Sequence, residues 1–181
     1  MKVTPTKIPE LLLLDPVVRS DERGFFMETW HRRTLAASGI DYELVQDNHS
    51  RSVQGTLRGL HHQIRHPQGK LVRVTAGEIF DVAVDLRRGS RTFGQWIGNT
   101  LSADNKRMVW IPPGFTHGFY VTAGPAEVQY KCSDYHAPGH ERSIRWDDPD
   151  LGIEWPLAGP PLLSDNDRHR AAPFARAEYF P

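Results

Sequence analysis

Three histidines and a lysine lie within one short segment of the chain, RGLHHQIRHPQGK at residues 58–70. Histidine is the residue type that most often binds a metal ion or moves a proton near neutral pH. The adjacent His61 and His62, with His66 nearby, could therefore form a metal site. Alternatively, the segment could supply a base and a cation to a reaction that needs no metal.

The spacing of polar residues separates these two possibilities. Two stretches resemble the two motifs of the cupin barrel family, namely Gly55-x5-His61-x-Gln63 with Lys70-x6-Gly77, and Pro112-x-Gly114-x2-His117. His61 and His117 fall on histidine positions, whereas Gln63 and Lys70 stand where metal-binding cupins place a histidine and a glutamate. Because the ammonium of Lys70 has no lone pair to give, the pattern predicts a site without a metal.

The other two histidines are expected to be structural. Successive side chains of a strand point to opposite faces, so His61 and His62 do not share a site. His66 precedes Pro67, which favours a loop.

A histidine and a lysine in one pocket suit proton abstraction next to a carbonyl. A histidine whose ordinary pKa is about 6.5 can act as a base near neutral pH. An ammonium that is already in place can stabilise the negative charge that develops on the enolate oxygen. We therefore interpret His61 as a base and Lys70 as the enolate-stabilising group.

The composition is that of one ordinary globular domain. The chain has 181 residues, 39% hydrophobic and 24% charged, with 22 basic and 22 acidic side chains. This balance argues against a general nucleic-acid or anionic-membrane surface. Cys132 is the single cysteine, and the apolar run at 11–14 is too short for a signal peptide. We expect a single domain over 1–181, in the cytoplasm, with no nucleic-acid or membrane partner.

Short segments punctuated by glycine and proline predict an all-β sandwich or barrel with a few short peripheral helices. The predicted strands are 11–18, 71–76, 78–86, 93–101, 108–111, 117–122 and 126–132, with turns at Gly77, 87–90 and Gly124-Pro125. In EIFDVAVDL, residues 78–86, alternate side chains form two faces. Helices are predicted at 31–38 and after Ser164.

Linked motifs along nearly the whole chain resemble the dTDP-4-dehydrorhamnose 3,5-epimerase family of the cupin superfamily. They are DERGFF.E (21–28), QDNHS (46–50), LRGLH.Q (57–63), QGKLVR (68–73), GEIFDVAVDLR.GS.TFG.W (77–96), NKRMVWIPPGFTHGF (105–119), YK (130–131) and LLSDND (162–167). The resemblance implies a jelly-roll barrel that inverts C3 and C5 of dTDP-4-dehydro-6-deoxy-D-glucose in dTDP-L-rhamnose biosynthesis. It also implies no cofactor, no metal, and a homodimer that exchanges N-terminal strands.

The resemblance also assigns roles to residues. His61 is similar to the family's base, Asp167 to the carboxylate that orients it, Tyr130 to the acid on the opposite face of the sugar, and Lys70 to the enolate-stabilising residue. The substrate-binding positions are matched by Arg23, Phe26, Glu28, Gln46, Asn48, Arg58, His117, His136 and Glu141.

Three positions in this assignment need comment. Arg58 and His61 are three residues apart and would face oppositely in a regular strand, so both reach a ligand only if the strand bulges or twists near Gly59. His136 replaces the family's usual aromatic ring, which stacks on thymine. Asn166 replaces a basic residue that is frequent in the family directly before the aspartate matched by Asp167.

Three alternatives stay open. A sibling enzyme on the same scaffold could invert one carbon only, or move the ketone. A metal-dependent cupin is disfavoured by Gln63 and Lys70. A sugar-binding cupin without activity is disfavoured by the set of His61, Tyr130, Lys70 and Asp167.

Overall fold

Strands dominate the structure, a computed structural model that describes residues 1–181. They are β1 (Lys2–Pro5), β2 (Leu12–Asp15), β3 (Val18–Asp21), β4 (Gly24–Met27), β5 (Gln46–Ser52), β6 (Leu57–Gln63), β7 (Lys70–Asp85), β8 (Trp96–Ser102), β9 (Met108–Ile111), β10 (Phe115–Cys132) and β11 (Glu141–Ser143). The helices are α1 (Arg32–Ala36) and α2 (Asp165–His169), with 3₁₀ turns at Pro138–His140 and Phe174–Arg176. The mainly-β prediction is confirmed.

Two long strands organise the barrel. β7 has 16 residues and β10 has 18, and they pair antiparallel along most of their length. The first part of β7 pairs with β9 and its later part with β8. Likewise, β10 pairs with β6 first and with β5 afterwards. These pairings join nine strands into one sheet, whose two halves share β7 and β10 and run β1-β2-β9-β7-β10-β5 and β8-β7-β10-β6-β11. β3 and β4 pair with each other in a separate two-stranded sheet.

The turns predicted at Gly77 and at Gly124-Pro125 are wrong. Both positions lie inside continuous strands, where the register of β7 against β10 shifts. Gly77 has φ +70, and a Cβ there would lie 2.6 Å from the carbonyl oxygen of Ala123. Glycine and proline mark a bulge within a strand as readily as a turn between strands. Sequence signals alone could not separate these two outcomes.

The remaining elements follow the predictions with shifted ends. β9 covers the predicted 108–111, whereas the strand predicted over 11–18 is broken at Pro16 into β2 and β3. α1 lies within the predicted 31–38, and Ser164 caps α2 as expected. Neither α-helix has the length and apolar character needed to span a membrane.

Both faces of β7 after Gly77 are buried. Val82, Val84 and Leu86 pack in a cluster with Leu60 and Ile144, outside the barrel. Ala83, on the opposite face, belongs to the core cluster inside the barrel. The predicted alternation is thus confirmed, and burial of each of the larger side chains contributes about 1.5–3 kcal/mol. The inner face also carries Asp81, whose carboxylate contacts His117 of the candidate site.

Candidate active site

Two adjoining cavities open at the mouth of the barrel. The first has a volume of about 280 Å³ and the second about 510 Å³. Five residues line both, so the cavities form one continuous space around them. These shared residues are His61, Lys70, His117, Tyr130 and Glu141.

A bulge in β6 brings Arg58 and His61 to the same cavity. His117 of β10 pairs with His61 and Phe119 with Arg58, so three steps along β6 oppose two along β10. Gly59, at φ +131, allows this because a Cβ there would lie only 2.5 Å from Cα of Gly118. The bulge expected near Gly59 is confirmed, and both side chains line the second cavity.

The imidazole of His61 is held by a buried carboxylate from the far end of the chain. Nε2 of His61 lies 2.5 Å from Oδ1 of Asp167, which is 4% exposed. Asp167 lies on the first turn of α2, where its N–H donates to Oγ of Ser164 at 3.1 Å. The Ser164 hydroxyl in turn donates to Oδ2 of Asp167 at 2.9 Å. One carboxylate oxygen is thus occupied by the helix cap, and the other is left for the histidine.

Lys70 and Tyr130 face His61 across the barrel. Lys70 opens β7 directly opposite Cys132 of β10, and Tyr130 precedes Cys132 by two residues, so the two side chains share the inner face. Burial lowers the pKa of Lys70, an effect partly offset by Cys132, Asp81 and Glu141. Burial raises the pKa of Tyr130. The site therefore holds a desolvated ammonium beside a phenol that keeps its proton.

A second histidine–carboxylate pair lies deeper in the barrel. Nε2 of His117 is 2.7 Å from Oδ2 of Asp81, and both side chains are buried. Strand alternation puts Asp81 on the same face as Ala83, but the sequence assigned no role to Asp81. The available signal was an acidic side chain inside a strand whose other face is apolar.

Polar side chains form the rim of the first cavity. Gln46 donates to Oδ1 of Asn48 at 3.0 Å and accepts the backbone N–H of His136 at 2.8 Å. The His136 ring lies 3.9 Å from a carboxylate oxygen of Glu141. This rim offers amide, carboxylate and imidazole groups to a polar ligand.

His62 lines the first cavity without making any of these contacts, and His66 lines neither cavity. His62 is 4% exposed, packs edge-on against Phe180 and lies 3.2 Å from the carbonyl oxygen of Glu178. His66 is exposed in the loop after β6, 3.5 Å from Asp134. No group of three or more His, Cys, Asp or Glu side chains is arranged to hold a metal ion.

Three of the predicted binding residues lie away from both cavities. Arg23 and Phe26 belong to the β3–β4 hairpin, and Glu28 follows it directly. The Arg23 guanidinium pairs with Asp21 at 2.6 Å, and Phe26 is 72% exposed. Within one chain, the structure therefore does not bring these three residues to His61.

Comparison with known proteins gives consistent matches. The family model described as dTDP-4-dehydrorhamnose 3,5-epimerase matches residues 5–174. A protein of that name from Pseudomonas aeruginosa is 58% identical over 182 residues, which cover 100% of both chains.

Solved structures match as well. An epimerase from Legionella pneumophila, in complex with dTDP-4-keto-L-rhamnose, superposes with a TM-score of 0.94 at 50% identity, covering 98% of this chain and 94% of that one. ChmJ, a 3'-monoepimerase from Streptomyces bikiniensis in complex with dTDP-quinovose, gives 0.88 at 36% identity, covering 94% and 87%. The fold is thus the cupin-type fold of these epimerases.

Proposed function

Because the chain belongs to the dTDP-4-dehydrorhamnose 3,5-epimerase family, isomerases that act on a nucleotide sugar, we propose that it inverts C3 and C5 of dTDP-4-dehydro-6-deoxy-D-glucose without a cofactor or metal. The product is dTDP-4-dehydro-L-rhamnose. The observation that supports this most is the carboxylate-bound His61 sharing one cavity with Lys70 and Tyr130.

Proton removal is the first step of the proposed mechanism. His61 takes the proton from a carbon next to the C4 ketone, and the electron pair moves into the carbonyl to give an enolate. The Lys70 ammonium stabilises the oxygen that becomes negative. Asp167 holds the imidazole in place and stabilises the imidazolium that forms, since its carboxylate is buried against the ring.

Proton return from the opposite face completes the inversion. The Tyr130 hydroxyl donates a proton to the carbon as the enolate collapses back to the ketone. His61 then loses its proton to solvent, and the tyrosinate regains one. The second carbon is inverted by the same cycle, because both carbons are acidified by the same ketone.

The rest of the substrate is held by the rim and by the second cavity. In this proposal Arg58 binds the pyrophosphate, for which a forked guanidinium is suited; its position on the lining of the second cavity supports this role. His117 binds near the reacting sugar, whereas Gln46, Asn48, Glu141 and His136 bind the nucleotide end.

The active unit in this proposal is a homodimer with exchanged N-terminal strands. Arg23, Phe26 and Glu28 bind the substrate held in the partner's barrel. Their exposure and their distance from the cavities of their own chain support this assignment.

A single inversion is the second candidate. It is favoured by the similarity to a 3'-monoepimerase, which has the same fold. Incubation with dTDP-4-dehydro-6-deoxyglucose in heavy water separates the two. Deuterium at both C3 and C5, without added metal, is the expected result. Label at one carbon would support the single inversion, and dependence on stoichiometric iron, manganese or zinc would contradict the mechanism.

Replacement of Tyr130 tests the acid. Tyr130→Phe should still exchange deuterium into the substrate, since the base is kept, while inversion is impaired. Tyr120→Phe, at the other tyrosine of β10, which is buried and lines neither cavity, is the matched control. Loss of exchange and inversion together in Tyr130→Phe would contradict the assignment of Tyr130 as the acid.

A further inference from the structure

We propose that Gln63 is a positioning residue that fixes the segment 135–137, and with it the ring of His136, for recognition of the nucleotide. The inference rests on the proposed function, because it assumes a nucleotide sugar in the barrel. Gln63 has no part in the chemical steps proposed above.

All side-chain polar groups of Gln63 are hydrogen-bonded to backbone atoms. Its Nε2 donates to the carbonyl oxygens of His66 at 2.8 Å and Tyr135 at 3.2 Å. Its Oε1 accepts the N–H of Ala137 at 2.7 Å. Gln63 is 5% exposed, so these three bonds are shielded from water. A buried amide satisfied in this way fixes its partners, because leaving any of these groups unpaired would be costly.

The segment 135–137 has little other support. It lies between the end of β10 and the 3₁₀ turn at Pro138–His140, outside any strand. The N–H of His136 bonds to Oε1 of Gln46 at 2.8 Å. The side chains of Gln46 and Gln63 thus hold the backbone of this segment, whereas backbone hydrogen bonds between strands hold the rest of the barrel.

His136 presents the exposed ring of the first cavity. Its side chain is 52% exposed, whereas His62, Phe115, His117 and Phe180 of the same cavity are all buried. A flat ring that is open at a cavity rim is the surface on which a nucleotide base can stack. Fixing this ring in advance reduces the ordering cost of binding.

The position of Gln63 links this rim to β6, the strand that carries His61. Gln63 follows His61 by two residues in β6, so both side chains lie on the inner face. Only His61 is bound to Asp167. Replacing Gln63 should therefore loosen the rim while leaving the catalytic pair in place.

The test measures binding and turnover separately. Gln63→Met removes all three bonds at similar volume, and Gln63→Glu keeps the acceptor for Ala137 but loses both donors. We expect Gln63→Met to raise the Kd for dTDP, measured by calorimetry, and the substrate KM about tenfold, with kcat within about twofold of wild type. Gln54→Met, which removes an exposed amide-to-carbonyl bond to Thr122 away from the cavities, should change none of these values. If Gln63→Met does not fold, Gln63→Glu takes its place.

A double-mutant cycle shows whether Gln63 acts through His136. In a His136→Ala background, Gln63→Met should weaken dTDP binding much less than it does alone. Wild-type protein that fails to bind dTDP would contradict the proposed function. Wild-type protein that binds dTDP, with a Gln63→Met variant of equal Kd or a variant whose loss lies in kcat alone, would overturn the role of Gln63.

Discussion

His61 and Asp167 are separated by 106 positions in the chain, yet Nε2 of His61 lies 2.5 Å from Oδ1 of Asp167. The carboxylate is buried on a helix of five residues, and Ser164 holds its other oxygen. An ionised carboxylate accepts but cannot donate, so the ring nitrogen facing it carries the hydrogen. Nδ1 of His61 is therefore left with the lone pair that takes a proton from the substrate.

Replacing Asp167 by asparagine should change which ring nitrogen of His61 carries the hydrogen. The amide can turn its NH2 toward the ring, which would place the hydrogen on Nδ1 and leave the base blocked. We expect kcat for exchange and epimerisation to fall about 10²–10⁴-fold, with the Kd for dTDP nearly unchanged. Asp165→Asn, an exposed acidic residue in the same helical turn, is the matched control. Equal kcat values for the two variants would contradict the role assigned to Asp167.

Lys70 should set the alkaline limit of activity. Its ammonium is needed to stabilise the enolate, and burial brings its pKa below the ordinary 10.5. Burial raises the pKa of Tyr130 above 10.0, so the phenol stays protonated to a higher pH than a tyrosine in water. The kcat of wild type should thus fall at a pH below 10.5 as Lys70 deprotonates.

Lys70→Arg tests this assignment, because arginine stays protonated throughout that range. We expect lower kcat near neutral pH and a loss of the alkaline decline. Lys131→Arg, on the other face of β10 and paired with Asp47 at the surface, should keep the wild-type profile. An alkaline decline that persists unchanged in Lys70→Arg would mean that another group causes it.

Buried His62 should make the fold sensitive to acid. Burial lowers its pKa from 6.5 to about 4, so the unfolded chain binds a proton in that interval and the folded chain does not. Acidification from pH 6.5 towards 4 therefore reduces the free energy of unfolding, by on the order of 3 kcal/mol from this residue.

His62→Phe keeps a ring against Phe180 and removes the titrating group. The stability difference between wild type and variant, followed by urea unfolding at fixed protein concentration, should move in favour of the variant as the pH falls from neutral to about 4. A difference independent of pH would show that His62 does not titrate in this interval.

Local rules predicted much of this fold. Alternation in residues 78–86 correctly placed Val82 and Ala83 on opposite faces. The odd spacing of Arg58 and His61, together with the family resemblance that assigns both to the ligand, correctly predicted the bulge that Gly59 permits. Local rules failed where glycine can mark either a turn or a bulge. Gly77 was predicted as a turn but lies in a continuous strand. Local rules could not identify it as a bulge because a bulge is defined by the pairing of β7 with β10, which is distant in sequence.

The site was less accessible to local rules. The contact between His61 and Asp167 joins β6 to α2, and no spacing encodes it, so only family resemblance indicated the pair. Alternation grouped Asp81 with Ala83 on one face, but the bond of Asp81 to His117 depends on the pairing of β7 with β10. The roles given to these residues remain predictions until the variants above are measured.

The β3–β4 hairpin carries an exposed apolar surface in one chain. Phe25 is 59% exposed and Phe26 72%, and Val17, which directly precedes the hairpin, is 61% exposed. An exposed patch of large apolar side chains is typical of an interaction surface. If this hairpin completes the barrel of a second copy, a hairpin lesion on one chain and a barrel lesion on the other fall in the same site and leave the second site of the dimer intact.

Subunit complementation distinguishes exchange from self-contained sites. One chain carries Arg23→Ala and Phe26→Ala, and the other carries His61→Ala; each homodimer should be nearly inactive. In the mixed dimer, the intact hairpin of the His61→Ala chain reaches a barrel with intact His61, which should restore about half of the wild-type activity per dimer. A mixed dimer of His61→Ala with Asp167→Asn has no undamaged barrel and should stay inactive. No recovery in the first mixture, or a monomer by light scattering, would contradict the exchanged dimer, since the hairpin would then serve only its own chain.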